Sequence, residues 1–311
     1  ETHREAALDD ARRSLDFALR IGDRFAEGRS RHNVAVIAGK LRRYEEALDE
    51  NERALAAYRD VGDEPGIRDA LLNIAAVRMF CGDYDRPSRL LDEVDEEATP
   101  WLAVRCALIR GVLATETERF DDAERFLQDA LRRGEELDAA FYRARAMHAL
   151  AIGRRRQGKV AEALSLVDTA LELLATMGEP DVEIEVLALS ARLRALTGDT
   201  LAAREHAESA IARCRKKRTQ SFSEIAADLA FAYAALGDET AARTLAAEAA
   251  AAAVDDAWRM PADLAEMYLA LPFHHEAIAA LWQAESVKHP LGAGGNRMAT
   301  APASGNKKAR R

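Results

Sequence analysis

Three columns of small side chains, returning every 35 to 40 residues through most of the chain, constrain its fold more than any other feature. One column is Ala11, Ala47, Pro87, Ala123, Ala163, Ala203, Ala242 and Ala277. Seven residues later comes Ala18, Ala54, Val94, Ala130, Ala170, Ala210, Ala249 and Ala284, and twelve residues before the first column comes Ala35, Ala75, Gly111, Ala151, Ala191, Ala230 and Ala265. Large aliphatic residues interleave with all three at helical spacing. Where two antiparallel helices cross, a small side chain on each lets the axes approach while Leu, Ile and Val fill the grooves around them. A period of this length, built from two helical stretches, marks a helical repeat and not a globular core.

Connectors recur at Gly39-Lys40, Gly82-Asp83, Glu118-Arg119, Gly158-Lys159, Gly198-Asp199 and Gly237-Asp238. Gly is expected to end the first helix of each pair, and Asp or a neighbour to cap the second. The resulting layout is a leading helix at about 5–20, then pairs at about 24–61, 65–97, 100–137, 139–177, 180–216, 219–253 and 257–285. Pro87 replaces the small Ala in its repeat, near the first turn of a helix where its missing N–H is tolerated, or else tilts that helix. The last pair, with Trp258, Met260, Phe273 and Trp282, departs from the pattern and is expected to cap the stack. The expected organisation is therefore a leading half-repeat at 1–22, a superhelix at 23–285 and a disordered basic tail at 286–311, rich in Gly and Pro and ending in Lys307-Lys308-Ala309-Arg310-Arg311. In one elongated stack each unit should touch only its neighbours.

The columns are similar to those of the tetratricopeptide repeat family, and the resemblance covers about residues 5–285. Leu91, Leu127, Val167 and Leu281 match that family's bulky position in the second helix, while Asn51, Ala207 and Ala246 depart from it. Units near 40 residues, lengthened at Ile21-Gly22-Asp23, Val61-Gly62-Asp63 and Met177-Gly178-Glu179-Pro180, resemble the C-terminal sensor regions of bacterial ATPase-linked transcription activators and nucleotide cyclases, and of peptide-responsive regulators. The same lengthened form occurs in eukaryotic polarity and motor adaptors. The resemblance implies an all-α, right-handed α-solenoid of about seven helix-turn-helix repeats plus the leading helix.

Composition narrows the function. The chain is 49% hydrophobic but only 6% aromatic, which suits close-packed helices and not a β-sandwich. Its net charge of −9 comes from interspersed acidic and basic residues, so a nucleic-acid-binding field is not expected. Cys81, Cys106 and Cys214 are isolated from one another and form no metal motif, which fits a reducing cytoplasm. There is no apolar run long enough for a membrane span, and the first residue is Glu, which suggests a piece of a longer or processed chain. Phosphate loops, zinc-protease helices and nucleophile elbows are missing, and the readings for catalytic residues, cofactor and metal are all none. Gly292-Ala293-Gly294-Gly295 reads as a linker and His274-His275 as a surface turn. The run Arg213-Cys214-Arg215-Lys216-Lys217-Arg218 reads as cations facing a helix C-terminus, with a docking patch for an acidic partner as the sharper alternative.

Stacked pairs line a concave groove with their first helices. Counting from the columns, that groove should present Arg29, His32, Asn33, Val36, Leu72, Asn73, Met79, Phe80, Arg105, Val112, Arg145, His148 and Arg155. Asn33 and Asn73 occupy equivalent positions, where the resembling family commonly holds a peptide backbone; an interhelix hydrogen bond is the other reading. The set is basic and partly apolar, so an acidic peptide is the expected ligand. The family's clamp for chaperone tails, with Lys and Asn at set positions, is not reproduced. The function expected is a noncatalytic protein- or peptide-binding module, the regulatory part of a larger bacterial signalling or transcription-regulating protein whose own effector domain is a further partner. A free-standing assembly scaffold is the alternative.

Overall fold

The structure, a computed structural model, describes residues 2–95, 98–175, 177, 180–216 and 222–271. These form α1 (Thr2–Ile21), α2 (Arg24–Lys40), α3 (Tyr44–Val61), α4 (Glu64–Phe80), α5 (Asp85–Asp92), α6 (Pro100–Glu116), α7 (Phe120–Glu136), α8 (Ala140–Arg156), α9 (Val160–Leu174), α10 (Pro180–Thr197), α11 (Thr200–Lys216), α12 (Phe222–Ala235), α13 (Glu239–Ala257) and α14 (Ala262–Leu269), with no strand among the described residues. Each even-numbered helix from α2 to α12 packs antiparallel against the next, and α6, α8, α10 and α12 also touch side by side. The fold is an α-solenoid.

The columns of small residues are the crossings. Ala47, Ala54, Ala163, Ala170, Ala203 and Ala210 are completely buried. At Gly111 a Cβ would lie 2.5 Å from the Leu127 side chain, so the bulky residue of α7 fills the space that the glycine leaves on α6. Asn51, which departs from the bulky position, is buried and donates to the Ala47 carbonyl at 3.0 Å.

Helix ends follow local chemistry. Asp23, Thr99 and Asp238 accept from the backbone N–H three residues on, at 3.0, 3.2 and 3.1 Å. Gly82, Gly158, Gly198 and Gly237 adopt the positive φ expected of them. The connector expected at Gly39-Lys40 does not form there. α2 continues through Lys40, and Arg42 takes the left-handed position at φ 62°. The second helix of the 65–97 pair is also shorter than expected, ending at Asp92, with Pro87 buried in its first turn and Val94 buried just beyond.

The stack curls until its ends meet, which corrects the expectation that each unit touches only its neighbours. Arg42 is buried and donates from Nη1 to Oδ1 of the wholly buried Asp256 at 2.6 Å. The Glu45 amide donates to the Arg259 carbonyl at 3.3 Å, and Arg4 pairs with Asp181 at 3.4 Å. The Phe80 ring stacks between Tyr44 and Tyr268, with centroids at 5.2 and 5.8 Å. One hydrophobic cluster joins Tyr44, Leu48, Leu71 and Leu91 to Ala253, Met260, Leu264 and Tyr268. The described part of the last repeat therefore closes onto the first repeats and does not cap a free end; Trp258 is 85% exposed. Ala277, Leu281, Ala284, His274-His275, Phe273, Trp282, the glycine-rich linker and the basic tail at 286–311 lie outside the described residues.

Candidate functional site

Closure turns the concave side into a central cavity of about 330 Å³. Its wall comes from α3 (Tyr44), α4 (Ala76, Val77, Met79, Phe80), the residue before α5 (Tyr84), α6 (Val112, Thr115, Glu116), α8 (Arg145, His148, Ala149, Ile152), α10 (Glu185), α12 (Ser223, Glu224) and α14 with the turn just after it (Tyr268, Leu271). One register explains most of it. Ala76, Val112 and Ile152 each follow a crossing residue by one position, so they form an apolar stripe across successive first helices.

Charge lines the same cavity. Arg145 Nη1 donates to Glu185 Oε2 at 2.5 Å, and His148 Nδ1 lies 3.8 Å from the same carboxylate. Desolvation pushes the His148 pKa down, which keeps the ring neutral. Arg156 reaches back from α8 to Glu116 at 2.7 Å and to the Thr115 carbonyl at 2.9 Å. Glu224 is different. Burial, followed by the nearby Glu185, Glu116 and Asp228, pushes its carboxyl up to about 8, with Arg156 opposing. Beside it Ser223 and Tyr268 share a hydrogen bond at 3.0 Å, and Tyr268 donates to Asp256 at 3.3 Å. The cavity wall is thus tied to the Arg42–Asp256 closure. Burial holds Asp256 at about 6 despite Arg42.

Of the residues expected in the groove, Met79, Phe80, Val112, Arg145 and His148 converge on this cavity. The others do not. Leu72 is 1% exposed and belongs to the core, because its register turns it toward the neighbouring helices. Arg105 pairs with Asp69, and Asn73 Nδ2 meets His32 Nε2 at 3.3 Å, an interhelix contact between α4 and α2. Arg29 lies over the Phe25 ring at 5.7 Å, Asn33 is exposed, and Val36 and Arg155 are half-buried and do not line the cavity. The expected basic groove is a mixed one, since acidic residues on adjacent first helices accept from its arginines. Reading the sequence for cations missed Glu116, Glu185, Glu224 and the three tyrosines. A signal was present: Asp69, Arg105, Arg145, Glu185 and Glu224 each precede a crossing residue by six positions.

Elsewhere, Arg213 of the basic run pairs with Glu183, and Lys217 and Arg218 lie outside the described residues. None of the three cysteines is in a disulfide, and all are buried. Among the described residues no cluster is arranged to hold a metal, and no helix is long and apolar enough to cross a membrane.

Three solved structures are similar to this chain. A Rap protein complexed with Competence and Sporulation Factor is 16% identical with a TM-score of 0.61, over 85% of this chain and 75% of that one. The Rap conjugation gene regulator of the plasmid pLS20, in complex with a Phr peptide, is 15% identical with a TM-score of 0.61, over 86% and 76%. A signal transduction ATPase with numerous domains and a tetratricopeptide repeat sensor, from Pyrococcus horikoshii, is 16% identical with a TM-score of 0.56. That match takes in 88% of this chain and 42% of the ATPase, so this chain spans less than half of that protein. At these identities the likeness establishes the fold, a solenoid of tetratricopeptide-like repeats. No family model and no curated protein matches the chain.

Proposed function

We propose that the chain is a noncatalytic module that binds a peptide or a protein segment in its central cavity, as the regulatory or sensor part of a bacterial signalling or transcription-regulating protein. The observation that carries this reading is convergence: side chains from eight parts of the solenoid meet around one apolar and charged cavity. A space of about 330 Å³ suits a short segment or a few side chains and is too small for a folded partner. One similar structure holds Competence and Sporulation Factor and another a Phr peptide, which supports a peptide or protein ligand here. Because Tyr268 both lines the cavity and contacts Asp256, a ligand that fits the closed ring better than an open one would shift the balance between them. An effector domain in a longer chain could read that shift. An acidic ligand has less in its favour, since Arg145 and Arg156 already hold carboxylates.

The test fills the cavity. Ala76→Trp should place an indole among Met79, Phe80 and Val112 and weaken binding of peptides selected from a random library by tenfold or more, read by isothermal titration. Unchanged affinity in a variant that melts like the wild type would place the ligand elsewhere on the solenoid.

A further inference from the structure

We propose that the cavity captures a cationic group on Glu224, an alkylammonium or guanidinium such as a Lys or Arg side chain or a peptide amino terminus carries. This rests on the cavity being the ligand site and names what the ligand brings to it.

The charges at the shared register form a ladder. Asp69 pairs with Arg105 on the next first helix, and Arg145 pairs with Glu185 on the next again. Glu224 is the following rung. The register would offer it Arg259, six positions before Ala265, but Arg259 precedes α14 and pairs with Asp255 at 3.1 Å. Among the described residues no cation stands within ion-pair distance of Glu224.

The groups facing Glu224 all have other commitments. From α6 comes Glu116, held by Arg156 of α8; from α10 comes Glu185, held by Arg145; on α12 itself Asp228 is held by Arg192 at 2.8 Å. Tyr84 and Tyr268 complete the surroundings, and burial drives both phenols up, so neither is ionised near neutrality. The wall therefore carries one more carboxylate than its cations satisfy. Alone, that carboxyl keeps its proton, as its upward shift reflects. An arriving cation reverses the balance, because attraction between unlike charges is strong where water is scarce and the hydrogen bond is charge-assisted. The carboxyl O–H bond then breaks and the proton passes to water, with no covalent bond to the ligand. Phe80, half-buried on the same wall, offers ring surface to the methylenes behind the charge.

Two pentapeptide mixtures, identical except for Lys or norleucine at the central position, test this by isothermal titration at pH 6, 7 and 8 against the wild type and Glu224→Gln. The Lys mixture should bind at least tenfold more tightly at pH 8, gain roughly tenfold between pH 6 and 7 by proton linkage, and release close to one proton. Glu224→Gln should melt no lower than the wild type while losing both the preference and the pH dependence. Equal binding of the two mixtures, or a preference that survives in Glu224→Gln, overturns the proposal. n-Butylammonium in a thermal-shift assay separates a free amine from a peptide. If it stabilises the wild type but not Glu224→Gln while neither mixture binds, the cation site stands and the peptide reading falls. If neither probe binds, the cation site is overturned too.

Discussion

Glu224 keeps a proton that an ordinary Glu would give up, and the consequence reaches folding. Its value in the folded chain is about 8 against an ordinary 4.5, so between these pH values the native state binds more protons than the unfolded one. Its contribution to stability is therefore full below about pH 4.5 and declines as pH rises toward 8. His148 acts in the opposite direction: its folded pKa is lowered, so its contribution is lost as pH falls below about 6.5. Subtracting one variant's profile from the wild type's isolates the carboxyl. Glu224→Gln should gain stability relative to the wild type steadily from pH 5 to 8, measured by thermal melting across that range, whereas a constant offset would mean that the carboxyl is already ionised. The identity of this residue as a Glu was plain in the sequence; its missing partner was not, because that depends on where Arg259 points.

At the scale of helices, the small-residue columns act as spacers. Ala163 sits at the crossing of α8 and α9 with no exposed surface, while Ala161, two residues earlier, is exposed. Leu at 163 must push the helices apart or leave its preferred rotamer, a cost of about 1–3 kcal/mol, whereas Leu at 161 should be nearly neutral. Urea denaturation of Ala163→Leu beside Ala161→Leu checks this, and equal midpoints would show that the column does not set the helix spacing. Helix ends were less legible. Gly is a good stop signal where the backbone turns left-handed, but Gly39 is buried inside α2 and Arg42 makes that turn instead. A non-glycine residue in that conformation costs about 1–2 kcal/mol, and the buried contact of Arg42 with Asp256 offsets it. The stop follows the repeat register and not the glycine: Arg42 stands seven residues after Ala35, as Gly82, Glu118, Gly158, Gly198 and Gly237, which also turn left-handed, stand seven after their crossing residues.

Over the whole molecule, closure is the structural fact with most bearing on function. Removing one member of a buried ion pair leaves the other charged and unpaired, at a cost of about 3–5 kcal/mol. Arg42→Ala should therefore lower stability by roughly that amount and open the ring. Small-angle scattering should register a larger radius of gyration, and ligand affinity should fall without any change in the cavity wall. If the variant stayed as compact as the wild type, the aromatic stack of Tyr44, Phe80 and Tyr268 would be holding the ends together unaided.

By itself the sequence determined the solenoid, its repeat length, its crossings and the inward helix faces, because each follows from contacts between residues fewer than about 40 positions apart and repeats down the chain. Five of the expected groove residues reached the cavity for that reason. Tertiary structure alone decided the rest: that the ends meet, that acidic partners on neighbouring helices take up the expected basic groove, and that Glu224 is left over. These outcomes depend on small rotations between units accumulating around the ring, and on which long side chains can then reach one another. A periodic pattern encodes each unit's neighbours, but not the point at which the stack returns to itself.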